Sequence, residues 1–152
     1  MQVLFENEAP VSDDNQPYLE NLKYYNKDLN IAQKEAIKKC LASRDLSLIH
    51  GPPGTGKTTT VVEVILQAVN VQGAKVMACA PSNIAVDNMI ERMHQENPTL
   101  RIVRIGHPAR LLESVQKFCL DALLYSETDY AKQTNDIRKE MTKLTQKHQK
   151  KA

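Results

Sequence analysis

Residues 51–58 read Gly-Pro-Pro-Gly-Thr-Gly-Lys-Thr, a complete Walker A loop. Glycines let successive backbone N–H groups approach the β-phosphate of a nucleoside triphosphate, because they carry no Cβ and accept unusual φ/ψ angles. A helix that begins at the loop adds the positive end of its dipole. We therefore predict a phosphate site formed by Gly51, Pro52, Pro53, Gly54, Thr55, Gly56, Lys57, Thr58 and Thr59.

Two side chains of this loop carry the predicted chemistry. We expect Lys57 to reach the β- and γ-phosphates as a point charge, and Thr58 to offer its hydroxyl to Mg²⁺. Lys57 and Thr58 are thus the predicted catalytic residues, and Thr58 is the predicted metal ligand.

The flanking segments predict the elements that position the loop. Residues 45–50 are typical of a short buried strand that runs into it. After the loop, apolar residues recur with the spacing of one helical face, so we predict a helix to about residue 71 that Gly73 closes. The residues on that face are Val61, Val64, Ile65, Ala68 and Val69.

Helices and strands alternate along the rest of the chain. We predict strands at 75–80 and 101–105, and helices at 30–43, 83–97 and 109–125. The alternation indicates an α/β fold with a parallel sheet. The inward residues of the helices are expected to be Ile37, Cys40, Leu41, Val86, Met89, Ile90, Met93, Leu112, Val115, Cys119 and Ala122.

Composition restricts the class of protein. The 152 residues suffice for one domain, and the net charge of +2 says little about partners. Charge is nevertheless uneven, since residues 1–28 hold six acidic and two basic groups whereas residues 132–151 hold seven basic and two acidic. The basic stretch is more typical of a solvated helix face than of a nucleic-acid contact. Neither a signal peptide nor a membrane-spanning run is present, and the three separated cysteines lack metal-ligand spacing, so we expect an intracellular protein of the nucleus or cytoplasm.

Three further sequence runs narrow the kind of ATPase. Residues 29–36 (Leu-Asn-Ile-Ala-Gln-Lys-Glu-Ala), the Walker A loop and residues 80–88 (Ala-Pro-Ser-Asn-Ile-Ala-Val-Asp-Asn) resemble the Q motif, motif I and motif Ia of superfamily 1 helicases. The branch is that of the nonsense-mediated-decay helicase, senataxin and the immunoglobulin mu-binding protein. Within that branch, residues 104–114 are most similar to the group that contains the immunoglobulin mu-binding protein and fungal DNA helicase A. The resemblance implies a P-loop NTPase of the RecA-like type.

The resemblance also implies roles for single residues. Gln33 resembles the glutamine that reads the adenine edge, which makes ATP the expected nucleotide; the alternative is a capping box with Asn30. Ser82, Asn83 and Asn88 resemble residues that hold single-stranded DNA or RNA, although Asn83 could simply cap its helix. Arg104, His107 and Arg110 are weaker candidates, for which surface charge is the default interpretation.

The domain organisation predicted from this comparison has three parts. Residues 1–28 are a lead-in that ends an upstream domain, residues 29–126 are the front of a motor domain, and residues 127–152 are a truncated basic helical insertion. The sequence contains no Asp-Glu pair to hold Mg²⁺ and orient water, so we expect a fragment with an incomplete sheet that binds ATP without hydrolysing it.

Two alternative functions remain open on the sequence. One is a non-catalytic interaction module, whose nucleic-acid binding would survive Lys57→Ala but not charge reversal at Lys143, Lys147 and Lys150. The other is a different P-loop ATPase such as a ring-forming remodeller, against which Gln33 and Ser82-Asn83 argue. The oligomeric state is not predicted.

Overall fold

The computed structural model describes residues 9–13, 15–106 and 112–127, together with positions 137 and 141. Within these residues the helices are α1 (Pro17–Glu20), α2 (Ile31–Ala42), α3 (Lys57–Asn70), α4 (Asn83–Glu96), a 3₁₀ helix (Glu113–Phe118) and α5 (Leu120–Glu127). The chain divides into two compact units, residues 1–100 and 101–152.

Helix α2 begins where the sequence predicted, because Asn30 and Gln33 cap it reciprocally. The Asn30 side chain accepts from the Gln33 backbone N–H at 2.8 Å, and the Gln33 side chain accepts from the Asn30 N–H at 3.0 Å. Ile37 and Leu41 are buried as predicted, whereas Cys40 is half-buried. The helix ends at Ser43, whose N–H donates to the carbonyl of Lys39.

Helix α3 confirms the predicted helix after the glycine loop, but its buried face differs from the predicted one. Val62, Ile65 and Leu66 are buried, and so are the polar Glu63 and Gln67; Val61, Val64, Ala68 and Val69 are half-buried. The reason is that α3 packs against both α2 and α4, so a wider arc of its surface is covered. Gly73 adopts φ +65° after the helix, as predicted.

Helix α4 also matches its prediction. Ser82 caps it by accepting from the Ala85 N–H at 3.2 Å, so Ser82, not Asn83, is the N-cap residue. Ile90 and Met93 are buried together with Asp87, while Val86 and Met89 are half-buried. Asn97 ends the helix, as predicted.

One apolar cluster of the first unit lies between α2, the residues that precede it and α3, whose Val64 and Ala68 pack against it. Leu19 and Leu29 are buried with Ile37, Leu41 and Ala42. The predicted lead-in therefore contributes apolar side chains to the same core as α2. The predicted domain boundary at residue 28 stays a prediction.

The predicted parallel sheet is not confirmed. Residues 45–50, 75–80 and 101–105 contain no β-strand, and the pairings among the described residues are two isolated bridges, Ser12 with Ser43 and Arg104 with Cys119. Leu48 is 86% exposed, Met77 88% and Ile105 80%. A strand is held by hydrogen bonds to a neighbouring strand, and within the described residues these segments have none apart from the bridge at Arg104.

The single helix predicted at 109–125 is wrong. The structure has a 3₁₀ helix, an extended residue at Cys119 (ψ 140°) and then α5. Cys119 is extended because its segment pairs with Arg104: the Arg104 N–H donates to the Phe118 carbonyl at 2.6 Å, and the Leu120 N–H to the Arg104 carbonyl at 3.1 Å. Val115 and Cys119 are buried as predicted, but Leu112 is 40% exposed.

The predicted basic arm lies almost wholly outside the described residues. Within its predicted span, Ile137 and Met141 are helical and exposed. No helix within the described part of the chain is long and apolar enough to cross a membrane, and no cluster of metal-ligating side chains occurs there.

Candidate nucleotide-binding site

The loop at residues 51–56 leads directly into the first turn of α3. Gly54 and Gly56 have φ angles of +84° and +78°, in the left-handed region that residues with a Cβ avoid. Gly56 is the N-cap residue and supplies no side-chain hydrogen bond to the helix. The first N–H groups of α3 therefore have no partner in the helix, which makes this end suited to an anion.

Lys57 folds back over the loop. Its Nζ donates to the carbonyl oxygens of Gly51 at 2.7 Å and Pro52 at 2.8 Å, and the Thr55 hydroxyl donates to the same Pro52 carbonyl at 2.8 Å. The ammonium group and the loop carbonyls thus satisfy each other. A bound phosphate must exchange these contacts for its own oxygens, and the Lys57 side chain is exposed and able to do so.

The two threonines after Lys57 differ in their surroundings. Thr58 is exposed, and its hydroxyl has no hydrogen bond among the described residues, so it is accessible to a metal ion. Thr59 is half-buried and accepts from Arg92 Nη1 of α4 at 3.0 Å. Thr59 and Arg92 line a cavity of about 230 Å³ with Glu63. The Thr59 hydroxyl therefore accepts a hydrogen bond from α4 and keeps its own O–H as a donor.

Gln33 contacts the loop from the start of α2. Its Nε2 donates to the Thr55 carbonyl at 3.1 Å while its Oε1 accepts from the Asn30 N–H. A Cβ on Gly56 would lie 2.5 Å from that Nε2. The structure thus brings the predicted base-reading residue and the phosphate loop into direct contact. The capping box, the alternative interpretation of Gln33, is also present.

The predicted nucleic-acid residues lie at the start of α4. Ser82, Asn83 and Asn88 are all exposed, and the Ser82 hydroxyl is engaged as the helix cap. The interpretation of Arg104 as surface charge is wrong, since this residue is 2% exposed. His107 and Arg110 lie outside the described residues.

The sequence reasoning missed two polar residues on α3. Glu63 is 1% exposed and Gln67 is fully buried, and Gln67 Nε2 donates to Glu63 Oε1 at 2.8 Å. Glu63 also accepts from the N–H groups of Tyr25 at 3.0 Å and Asn26 at 3.1 Å. Their i,i+4 spacing within residues 61–69, which are otherwise apolar, was the available signal.

Tyr24 lies beside this pair. Burial raises the pKa of Tyr24, and the negative charge of Glu63 raises it further. The hydroxyl oxygen is buried and has no hydrogen-bond partner in the described structure. Lys34 Nζ lies 5.5 Å from the centroid of the ring.

Comparison with known proteins identifies the family to which the sequence is similar. The model of the AAA domain family matches residues 28–152. The chain is 56% identical over 129 residues to the DNA-binding protein SMUBP-2 of Mus musculus, covering 85% of the chain and 13% of that protein. It is 49% identical over 115 residues to the DNA polymerase alpha-associated DNA helicase A of Schizosaccharomyces pombe, covering 76% of the chain and 17% of that protein.

An archaeal protein shows the same similarity. An uncharacterized ATP-dependent helicase of Methanocaldococcus jannaschii is 49% identical over 109 residues, which cover 72% of the chain and 16% of that protein. The chain thus spans less than a fifth of the length of these relatives. Their names confirm the group of helicases that the sequence motifs predicted.

Proposed function

The chain belongs to the AAA domain family, whose model matches residues 28–152, and we propose that it is the ATP-binding part of an ATP-dependent DNA or RNA helicase. In the intact protein, ATP hydrolysis would drive movement along single-stranded nucleic acid. The names of the relatives, which include an ATP-dependent helicase and a DNA helicase, support this proposal.

The observation that carries the proposal is the phosphate cradle at the start of α3. Two left-handed glycines expose backbone N–H groups, the helix adds its positive end, and Lys57 is held against the loop by two carbonyls at 2.7 and 2.8 Å. These features favour a polyphosphate over a neutral ligand. Lys57 would then exchange the carbonyls of Gly51 and Pro52 for β- and γ-phosphate oxygens.

Gln33 supports adenine as the base. A glutamine amide offers two N–H donors and two acceptor lone pairs. Asn30 occupies one lone pair and the Thr55 carbonyl one donor, so one of each remains. Adenine presents a complementary donor and acceptor, whereas guanine presents two acceptors on the corresponding edge. A nucleotide held by the loop would place its base within reach of Gln33 in this proposal.

Mg²⁺ fits the site through Thr58. Its hydroxyl is exposed and unengaged within the described residues, and a hydroxyl oxygen is a suitable ligand for this hard cation. When bound, Mg²⁺ would neutralise phosphate charge. The chain contains no Asp-Glu pair that could complete the metal site. We therefore propose that the 152-residue chain binds ATP without hydrolysing it at a useful rate.

The start of α4 is the proposed nucleic-acid contact. Ser82 and Asn83 are exposed polar residues at the helix N-terminus, and the exposed Asn88 lies in its second turn. Such polar groups suit phosphate oxygens without reading bases. Stimulation of the intact parent's ATPase by single-stranded nucleic acid would support the helicase over an unrelated P-loop remodeller.

Lys57→Ala tests the proposal, with Lys38→Ala as a control that removes one exposed lysine from α2. The assay is titration of a fluorescent ATP analogue into the 152-residue chain with Mg²⁺. We expect Lys57→Ala to weaken binding about 10- to 100-fold, the value of one or two charged hydrogen bonds, and Lys38→Ala to leave it unchanged. Equal effects of the two substitutions would contradict the proposed phosphate site.

A further inference from the structure

Glu63 is a carboxylate on α3 that is buried to 1% exposure without a cation among its hydrogen-bond partners. Burial of a charged group is costly unless hydrogen bonds replace its hydration. Here three N–H donors do so, two from the backbone of Tyr25 and Asn26 and one from Gln67. All three bonds are 3.1 Å or shorter, so the carboxylate is well placed to hold the segment that supplies them.

The segment held by Glu63 leads directly to Gln33. Gln67 donates to the Lys23 carbonyl at 2.8 Å, which adds a second contact from α3 to residues 23–26. The Asn26 side chain then accepts from the Asp28 N–H at 2.8 Å. Leu29 is buried in the core, and Asn30 is the cap of α2. Residues 23–30 are therefore fixed at both ends, by Glu63 and Gln67 at the start and by the core and the capping box at the end.

These contacts form a closed path around the site, which we call the Glu63 circuit. It runs from Glu63 through residues 23–30 to Gln33, from Gln33 Nε2 to the Thr55 carbonyl at 3.1 Å, and back along α3. The phosphate loop and Glu63 lie on the same continuous chain from residue 55 to residue 63. We therefore expect a displacement of residues 23–26 relative to α3 to reach Gln33 through residues 27–30, although the core and the capping box hold the end of this segment.

We propose that Glu63 is a positioning residue for base discrimination. It fixes the distance between the Gln33 amide and the phosphate loop, so that the free donor and acceptor of the amide meet the base of a nucleotide whose phosphates the loop holds. The proposal rests on the proposed function, in which the loop binds the triphosphate and Gln33 reads adenine. It assigns Glu63 no contact with the nucleotide.

Glu63→Gln tests the proposal because it keeps the shape of the side chain. Its Nε2 replaces one carboxylate oxygen and faces N–H groups, so at least one of the three hydrogen bonds is lost. Gln67→Met is the second variant, should Glu63→Gln fail to fold: it removes the donor to Glu63 and Lys23 but leaves the carboxylate. Gln72→Ala is the matched control, because it removes hydrogen bonds to the Tyr18 hydroxyl and the Leu41 carbonyl outside the circuit.

The measurement is the dissociation constant of the 152-residue chain for ATP, GTP and inorganic triphosphate. We expect the wild-type chain to prefer ATP to GTP. Glu63→Gln and Gln67→Met should reduce that ratio about fivefold or more, because the hydrogen-bonding groups of Gln33 would no longer meet those of the base. The affinity for inorganic triphosphate should stay within about twofold, because the phosphate loop is unchanged. Gln72→Ala should keep the wild-type ratio even if it lowers the melting temperature.

The possible outcomes separate the two proposals. An unchanged ATP-to-GTP ratio in variants that still bind ATP would overturn the role of Glu63 and leave the proposed function intact. If the wild-type chain binds ATP and inorganic triphosphate with equal affinity, both base reading by Gln33 and the positioning role of Glu63 are overturned. A wild-type chain that binds none of the three ligands would refute the proposed function itself.

Discussion

Gly54 and Gly56 allow backbone strain and side-chain contact to be measured separately within one loop. Both glycines have left-handed φ angles, +84° and +78°. A Cβ on Gly54 would meet no atom within 4 Å, whereas a Cβ on Gly56 would lie 2.5 Å from Gln33 Nε2. Alanine at either position therefore imposes the same kind of strain, but alanine at 56 also displaces the Gln33 amide.

The expected costs follow from these two terms. Left-handed backbone costs a residue with a Cβ about 1–2 kcal/mol, which is the whole cost expected for Gly54→Ala. Gly56→Ala should add the loss of the bond from Gln33 to the Thr55 carbonyl and of the bond that Gln33 accepts from Asn30. At about 1 kcal/mol each, these bring the cost to about 3–4 kcal/mol in free energy of unfolding.

A double-mutant cycle with Gln33→Ala tests this reasoning by urea unfolding of the 152-residue chain. Gln33→Ala removes the atom that the new Cβ would meet, so Gly56→Ala in that background should cost no more than Gly54→Ala. The expected coupling is about 2 kcal/mol between residues 33 and 56, the value of the two lost hydrogen bonds, and none between 33 and 54. Equal costs for the two glycine substitutions, or strict additivity with Gln33→Ala, would refute the contact.

Two further substitutions test the elements around the site. Asn30→Ala should lower the free energy of unfolding by about 1 kcal/mol, because it removes the side-chain acceptor of the capping box. The control is Asn70→Ala, which replaces an exposed asparagine at the end of α3 and leaves the capping box intact. Tyr24→Phe should leave stability at neutral pH unchanged or raise it, because the buried hydroxyl has no partner in the described structure. Its pKa is raised above 10.0, by burial first and then by Glu63, so the folded state keeps the proton longer than the unfolded state. The contribution of protonated Tyr24 to stability is complete below pH 10.0, and it is lost as the pH rises through the raised pKa of the folded state. The free energy of unfolding, measured with urea from pH 8 to pH 11, should therefore fall less steeply with pH for Tyr24→Phe than for the wild type. Parallel curves would contradict the raised pKa of Tyr24.

Local signals predicted α2, α3 and α4 well, but they predicted the sheet and the helix at 109–125 poorly. Asn30 with Gln33, and Ser82 before Asn83, are start signals that act within one turn, so they can be identified in the sequence. Residues 45–50 and 75–80 have the composition of buried strands, but a strand also needs hydrogen bonds from a neighbour elsewhere in the chain. No such neighbour is described, and Leu48 and Met77 remain exposed.

The residues of the site also divide into those that local sequence signals predicted and those that depend on distant parts of the chain. The Walker A pattern located the loop because its glycines and Lys57 act through local backbone geometry. Glu63 escaped prediction because periodicity counts apolar positions, and a charged residue on a helix is expected to face water. Its partners, Tyr25 and Asn26, are more than thirty-five positions away in the sequence and contribute backbone N–H groups, which carry no sequence signal at all.

The two interpretations of Gln33 need not exclude each other. The capping box uses one acceptor lone pair of the amide, and the Thr55 carbonyl uses one donor. Because these contacts fix both ends of the amide plane, they also fix the directions of the remaining donor and acceptor. A free glutamine would lose side-chain rotamer freedom on meeting a base, whereas this one has already lost it in the folded chain. The capping box would then make base reading stronger. Because its donor to the Gln33 amide is the backbone N–H of residue 30, Asn30→Ala should keep the preference for ATP over GTP. Asn30→Pro removes that N–H and should weaken the preference without changing the affinity for inorganic triphosphate.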